Sequence, residues 1–286
     1  AGAPNRRSRE RRLMRAKRFT RRGWVVAASI VLLVLLGMAV APALFTSGDP
    51  LATDLRAALR PPSAEHLFGT DQSGRDIYTR VVYGARTSIG IGLAATLLAV
   101  VTGLLLGIGV GLAPRPVGAV AMRGVDILLA FPEFLVALVV VAILGPGPAT
   151  VAFAVTIAAV PVYIRLARAH TITLRQADHV EAAYLLGVPR PIAIARHVLP
   201  GVASSLSVLA TIGVGSAILA AAGLSFLGLG PSEPTPEWGL MLSGGRNVLG
   251  QAWWIAVFPG LAITFTVVSL SVLGRALRAR GEGTTA

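Results

Sequence analysis

The sequence predicts an all-α polytopic membrane protein of six transmembrane helices with cytoplasmic N- and C-termini. Three observations carry that prediction. The composition is 54% hydrophobic and 14% charged, with a mean hydropathy of +0.72, whereas a soluble domain carries about 25% charged residues. Long uncharged runs recur along the 286 residues, several near the roughly 20 residues a helix needs to cross a bilayer. The 26 Lys and Arg residues, all Arg but Lys17, outnumber 13 acids and gather on one set of loops.

Residues 1–23 form a basic cytoplasmic tail with ten Lys or Arg residues. Beside a membrane helix such charges set orientation and meet anionic membrane lipids, so nucleic acid is not a predicted partner. Residues 24–45 form the first transmembrane helix. Ala41-Pro42-Ala43 resembles a signal cleavage site, but the apolar run exceeds the roughly 7–15 residues of a signal core, so the span is read as uncleaved. Arg21-Arg22 lacks the surroundings of a twin-arginine signal.

Residues 46–85 read as an extracytoplasmic segment. Within it, Asp71 to Asp76 form a capped turn before a helix that starts near Ile77; the turn lacks the alternating ligands and closing Glu of a calcium loop. A core over 86–274 supplies five more spans. The second is the uncharged run 87–114, where Gly103, Gly107 and Gly111 share one helix face and read as close-packing positions between membrane helices. The run 134–164 is cut by Gly145-Pro146-Gly147-Pro148, a turn signal. Its first half extends back to about Asp126 as the third span, and its second half runs to about Arg168 as the fourth. Residues 201–222 form the fifth span, with a Gly-rich apolar tail to Pro231, and 247–274 form the sixth. Residues 275–286 are a cytoplasmic tail.

Arginine placement orients the bundle. With both ends inside, 20 of the 26 basic residues are cytoplasmic, and Arg56, Arg60, Arg75, Arg80, Arg86 and Arg246 are outside. The inverted topology reverses that ratio.

Several chemistries are excluded. There is no Cys, so thiolate catalysis, disulfides and Cys-based metal sites are absent. A phosphate-binding loop needs Gly-x4-Gly-Lys-Ser/Thr, and the single Lys has no glycine loop before it, so the chain is not an ATPase. His170, His179 and His197 share a cytoplasmic loop without metal-ligand spacing. Asp126 and Glu133 lie seven apart on one face of the third span. Asp126 reads as a structural group paired near Arg123, and Glu133 as the one intramembrane acid that can face a transport path. Two acids are a thin set for a proton relay.

The longest polar stretch on the inner side lies between the fourth and fifth spans, at about 169–200. It reads as two short helices with a break. Asp178 is the expected N-cap, with Glu181 three positions on as in a capping box. Ala182 and Ala183 keep the face thin, and Gly187 ends the helix where positive φ is wanted. Pro189 and Pro191 open a second helix bearing Ile192 and Ile194, and Pro200 begins the fifth span. By periodicity alone, the stretch is equally an amphipathic loop lying on the bilayer.

Glu181-Ala182-Ala183, three residues, Gly187, nine residues, then His197-Val198-Leu199-Pro200 resembles the EAA loop of ABC-importer permeases. The general pattern has Ile at the position of His197; the peptide and nickel branch commonly has His. The resemblance runs from about Glu65 to Leu277 and is strongest to the second permease subunit of dipeptide importers. His66-Leu-Phe-Gly69-Thr-Asp71-Gln-Ser-Gly74-Arg75-Asp76, Ala130-Phe131-Pro132, Leu224-Ser225-Phe226-Leu227-Gly228, Pro236-Glu237-Trp238-Gly239 and Phe258-Pro259-Gly260 also belong to it. Ala221 departs from the family's usual Glu, and Arg275 from its frequent Asp.

The resemblance implies the type I ABC importer fold in a bacterial cytoplasmic membrane. It implies a second permease subunit of similar fold, one or two cytoplasmic ATPases using ATP and Mg2+, and an extracytoplasmic substrate-binding protein. No cofactor or metal is expected on this chain itself. Di- and oligopeptides are the implied substrates, with nickel or another small solute as the alternative. Glu181, Ala182, Ala183, Gly187, Ile192 and His197 are the implied ATPase-coupling residues. Residues 50–83 and 231–246 are candidates to meet the binding protein. Glu133, Ser204, Ser205, Ser207, Thr211 and Ser216 are the translocation-pathway candidates, an uncharged hydroxyl lining being suited to peptide backbones. An ion-gradient-driven transporter and a non-transporting scaffold are the competing classes.

Overall fold

The structure, a computed structural model, describes residues 6–281, with side chains described over 23–279. The expectations for the basic side chains of the N-terminal tail and for the last residues of the C-terminal tail lie outside that range. Among the described residues ten α-helices follow in order: α1 (Arg6–Val40), α2 (Ile77–Leu112), α3 (Arg115–Leu129), α4 (Glu133–Leu144), α5 (Pro148–Leu174), α6 (Asp178–Leu185), α7 (Arg190–Ala193), α8 (Leu199–Phe226), α9 (Trp238–Gly245) and α10 (Trp254–Gly281). Five helical runs are long and apolar enough to cross a membrane, and α3 with α4 makes a sixth if the bent pair is one span.

The third span is not the continuous helix expected from about Asp126. Between α3 and α4 the axis turns by 88°. Pro132 supplies no N–H and stands at the N-cap of α4, so Glu133 begins a new helix. Hydropathy registers an uncharged run but not its direction.

Helix α2 starts ten residues before the uncharged run, because the Asp76 carboxylate caps it by accepting from the Thr79 N–H at 2.8 Å. It packs along α5 through Gly103, Gly107 and Gly111, which meet Tyr163, Ala167 and Thr171. Small residues let two helix backbones approach where lipid gives no hydrophobic drive for association. Arg86 of α2 also closes the end of α1, donating to the Ala39 and Val40 carbonyls at 2.9 and 2.8 Å.

The outer end is tied by buried polar contacts. Arg75 donates to Asp71 at 2.6 Å and to Glu233 at 2.7 Å. Arg80, 1% exposed, donates to the Pro50 and Pro234 carbonyls at 3.1 Å each. Burial works to lower the proton affinity of Arg75, but the Asp71 and Glu233 carboxylates outweigh it and raise it. Glu237 caps α9, accepting from the Gly239 and Leu240 N–H groups and from the Ser88 hydroxyl of α2. The Trp238 and Trp254 indoles donate to the Val81 and Thr70 carbonyls.

Candidate functional site

Two places hold most of the residues singled out from the sequence, a cytoplasmic helical hairpin and a cavity within the bundle, while Ser204, Ser205, Ser207 and Thr211 lie outside both.

The hairpin leaves α5 through a tight turn, in which the Ala177 N–H donates to the Leu174 carbonyl at 3.1 Å. That turn delivers a chain already helical at Asp178. Asp178 is therefore the first helical residue and not the N-cap; Ala177 is the cap residue, without a side-chain bond. Asp178 and Glu181 instead place negative charge in the first turn, the favourable sign for a helix N-terminus. Gly187 takes φ +81 after the last turn. Its N–H donates to the Tyr184 carbonyl and the Val188 N–H to the Ala183 carbonyl, both at 3.0 Å, the paired bonds of a Schellman ending.

The chain then re-enters helix at Arg190 and continues to Phe226. The expected start of the fifth span at Pro200 is thus not a boundary. A π-helical turn at Ile194–Val198 widens the helix, with the Leu199 N–H reaching back to the Ile194 carbonyl. Pro200, which has no N–H to give, sits just after it without ending the run.

Glu181, Ala182, Gly187, Ile192 and His197 are exposed, while Ala183 is buried. Ala183 shares the inward face with Val180, and Val180, Val198, Val202 and Leu206 root the hairpin in the bundle. The tip carries Leu185 and Leu186, each 84% exposed. These leucines were not singled out from the sequence; two large apolar residues just before a helix-ending Gly on a polar loop are the signal that finds them. His197 meets His179 edge-on with ring centres 5.9 Å apart; among the described residues no group of three or more metal-ligating side chains forms.

The cavity, about 140 Å3, lies between α2, α4, α5 and α8. Tyr163 in its wall is roughly 22 Å from the outer end of α5 and roughly 16 Å from the inner end, by helical rise. Glu133 and Ser216 line it, together with Thr96, Tyr163 and Gly213. Both Glu133 and Ser216 are exposed, so the cavity opens at the surface of the chain. Gly213 leaves room for the Tyr163 hydroxyl, which a Cβ there would force to move.

The other pathway candidates lie elsewhere on α8. Ser205, Ser207 and Thr211 donate to the Gly201, Ser204 and Ser207 carbonyls. Ser204, Ser207 and Thr211 share a helix face different from that of Ser216. Thr96 and Tyr163 were missed; Tyr163 is the one tyrosine inside an uncharged run, and that was the available signal. Asp126 is paired, but with Arg165 of α5 and not with Arg123.

The family model of the binding-protein-dependent transport system inner membrane component matches residues 103–281. A putative peptide transport system permease protein of Brucella suis is 41% identical over 268 residues, covering 94% of this chain and 88% of that one. A probable D,D-dipeptide transport system permease protein of Escherichia coli K12 is 41% identical over 254 residues, covering 89% and 85%. A glutathione transport system permease protein of Pectobacterium atrosepticum is 38% identical over 263 residues, covering 92% and 87%. With more than half its length matched by the family model, the chain belongs to the binding-protein-dependent transport system inner membrane components, as a permease subunit of an ABC importer and not its ATPase.

Proposed function

We propose that this chain forms half of the translocation pathway for di- or oligopeptides, which an extracytoplasmic binding protein delivers. A second permease of similar fold supplies the other half, and separate ATPases using ATP and Mg2+ drive the cycle through the α6–α7 hairpin. The observation that best supports coupling is the hairpin's construction. It is rooted by Val180, Val198 and Val202, closed by Gly187, and tipped by two exposed leucines on a polar loop. A short helix ending in an apolar tip suits a groove on a partner. The coupling residues are Glu181, Ala182, Gly187, Ile192 and His197 on the exposed side, with Ala183 holding the root. The relatives named for peptide, dipeptide and glutathione transport support a peptide substrate, glutathione being itself a tripeptide.

ATP binding shifts the permease between inward- and outward-open states only through its different affinity for the two. The hairpin transmits that difference because α7, the π turn and α8 form one helical run from the loop into the membrane. The test is to purify the chain from its native membrane in mild detergent, identify what accompanies it, and reconstitute the assembly. Expected are a P-loop ATPase, a second permease, and dialanine uptake that requires ATP and the binding protein. A chain that comes out alone after crosslinking, or uptake that follows an ion gradient and ignores ATP, overturns the reading.

A further inference from the structure

Two polar groups on the wall of the intramembrane cavity make no hydrogen bond or ion pair among the described residues. The Thr96 hydroxyl is on a residue only 4% exposed and has no hydrogen bond. Glu133 stands at the cavity's edge in no ion pair, and no basic residue among those described lines the cavity; the Arg165 and Arg75/Arg80 guanidiniums pair elsewhere, with Asp126 and with Asp71 and Glu233. A carboxylate at this depth is costly unless it faces water or a partner charge. A buried hydroxyl without a partner carries its own desolvation cost.

We propose that the cavity is a transient subsite for the primary ammonium group of the passing peptide. Glu133 supplies the counter-charge, and the Thr96 and Ser216 hydroxyls supply further acceptors. The inference rests on the peptide-permease reading above. An ammonium carries three donors and no acceptor, which matches a carboxylate beside two hydroxyls. At about 140 Å3 the cavity is below the roughly 300–1,000 Å3 of sites that enclose a whole small molecule, so it takes one end of a peptide. Apart from the Tyr163 hydroxyl, the rest of the lining is apolar, including Val155, Leu209 and Ile212, and makes no demand on side-chain identity. A single charge with two hydroxyls holds weakly, as a path requires of a group that must also leave.

The chain has no Cys, so Ser216→Cys, with Leu209→Cys in parallel, places the chain's single thiol on the cavity wall, and the reconstituted complex carrying the parent chain gives the background from partner thiols. The readout is the modification rate by a cationic trimethylammonium thiosulfonate relative to an anionic sulfonate analogue. The cationic preference should fall on the order of tenfold in Glu133→Gln, the effect of removing one nearby charge, and return in Glu133→Asp. Millimolar dialanine should slow modification, N-acetyl-dialanine should not, and Glu133→Gln should abolish the difference. An unchanged preference, equal protection by both peptides, or no modification at either position overturns the subsite. Loss of the partner permease from the Glu133→Gln complex also overturns it, assigning the carboxylate to a subunit interface. ATP-dependent uptake of dialanine by the parent complex is measured in the same vesicles. Its absence sinks the peptide reading itself, so the two failures are distinguishable.

Discussion

At the scale of single residues, Gly187 separates backbone geometry from packing. Its φ is +81, yet a Cβ there would meet nothing within 4 Å. Within this chain the cost of substitution therefore comes from the left-handed backbone, which costs an ordinary residue about 1–2 kcal/mol, and more for a β-branched one. Asn tolerates that region. Gly187→Asn should keep uptake near the parent rate, while Gly187→Val should insert normally and hydrolyse ATP with uptake reduced severalfold. The ratio of ATP hydrolysed to peptide imported, measured in proteoliposomes, checks this; parental coupling in Gly187→Val would remove Gly187 from the coupling residues. This residue was legible because glycine before Pro189 and Pro191 has few uses other than ending a helix. Asp178 was misread by one position because the turn out of α5 starts the helix before a side-chain cap is needed. The Asp126–Arg165 pair joins residues 39 apart, and no local spacing announces it; Arg123 was merely the nearest cation in sequence.

At the scale of elements, the α2–α5 contact tests whether glycines serve packing or only composition. A Cβ on Gly107 would collide with that of Ala167 and come within 2.8 Å of the Ile164 carbonyl oxygen, which is backbone and cannot turn aside. One on Gly109, two residues on, meets nothing within 4 Å. Gly107→Ala should destabilise by about 1–3 kcal/mol through overpacking. Gly109→Ala should be neutral or stabilise by up to about 1 kcal/mol through helix propensity. Thermal unfolding of the purified complex in detergent compares them; equal midpoints would mean that α2 and α5 are not in contact at this register. The four-residue glycine period was visible in the sequence, since one helix face repeats at that interval. The partner was not visible, because Tyr163, Ala167 and Thr171 share the period with no compositional mark. The bend before Glu133 was hidden for a related reason: Pro132 breaks a helix equally well in a straight span and a turned one.

At the scale of the whole molecule, the two ends of the bundle are built differently. The cytoplasmic hairpin is held by apolar contacts, backbone turns and a π-helical widening. The outer end is held by charges: Asp71 is 4% exposed, Arg75 8% and Arg80 1%, joining the loop before α2 to the segment before α9 through Glu233. Rigid-body motion started at the hairpin would therefore turn the spans about an outer end that resists deformation. Removing one member of a buried charge set leaves the others uncompensated, at about 3–5 kcal/mol, whereas an ion pair reaching solvent contributes about 0–1 kcal/mol. Asp71→Asn should thus lower the unfolding midpoint far more than Glu233→Gln, whose side chain is 49% exposed. ATPase recovered with the Asp71→Asn chain should be undiminished, because the hairpin lies at the opposite end of α2 and α5. If the two variants lost equal stability, the outer network would be a solvated surface cluster. If Asp71→Asn released the ATPase, the two ends would be energetically one unit, and the spans could not turn about the outer end while the hairpin moved.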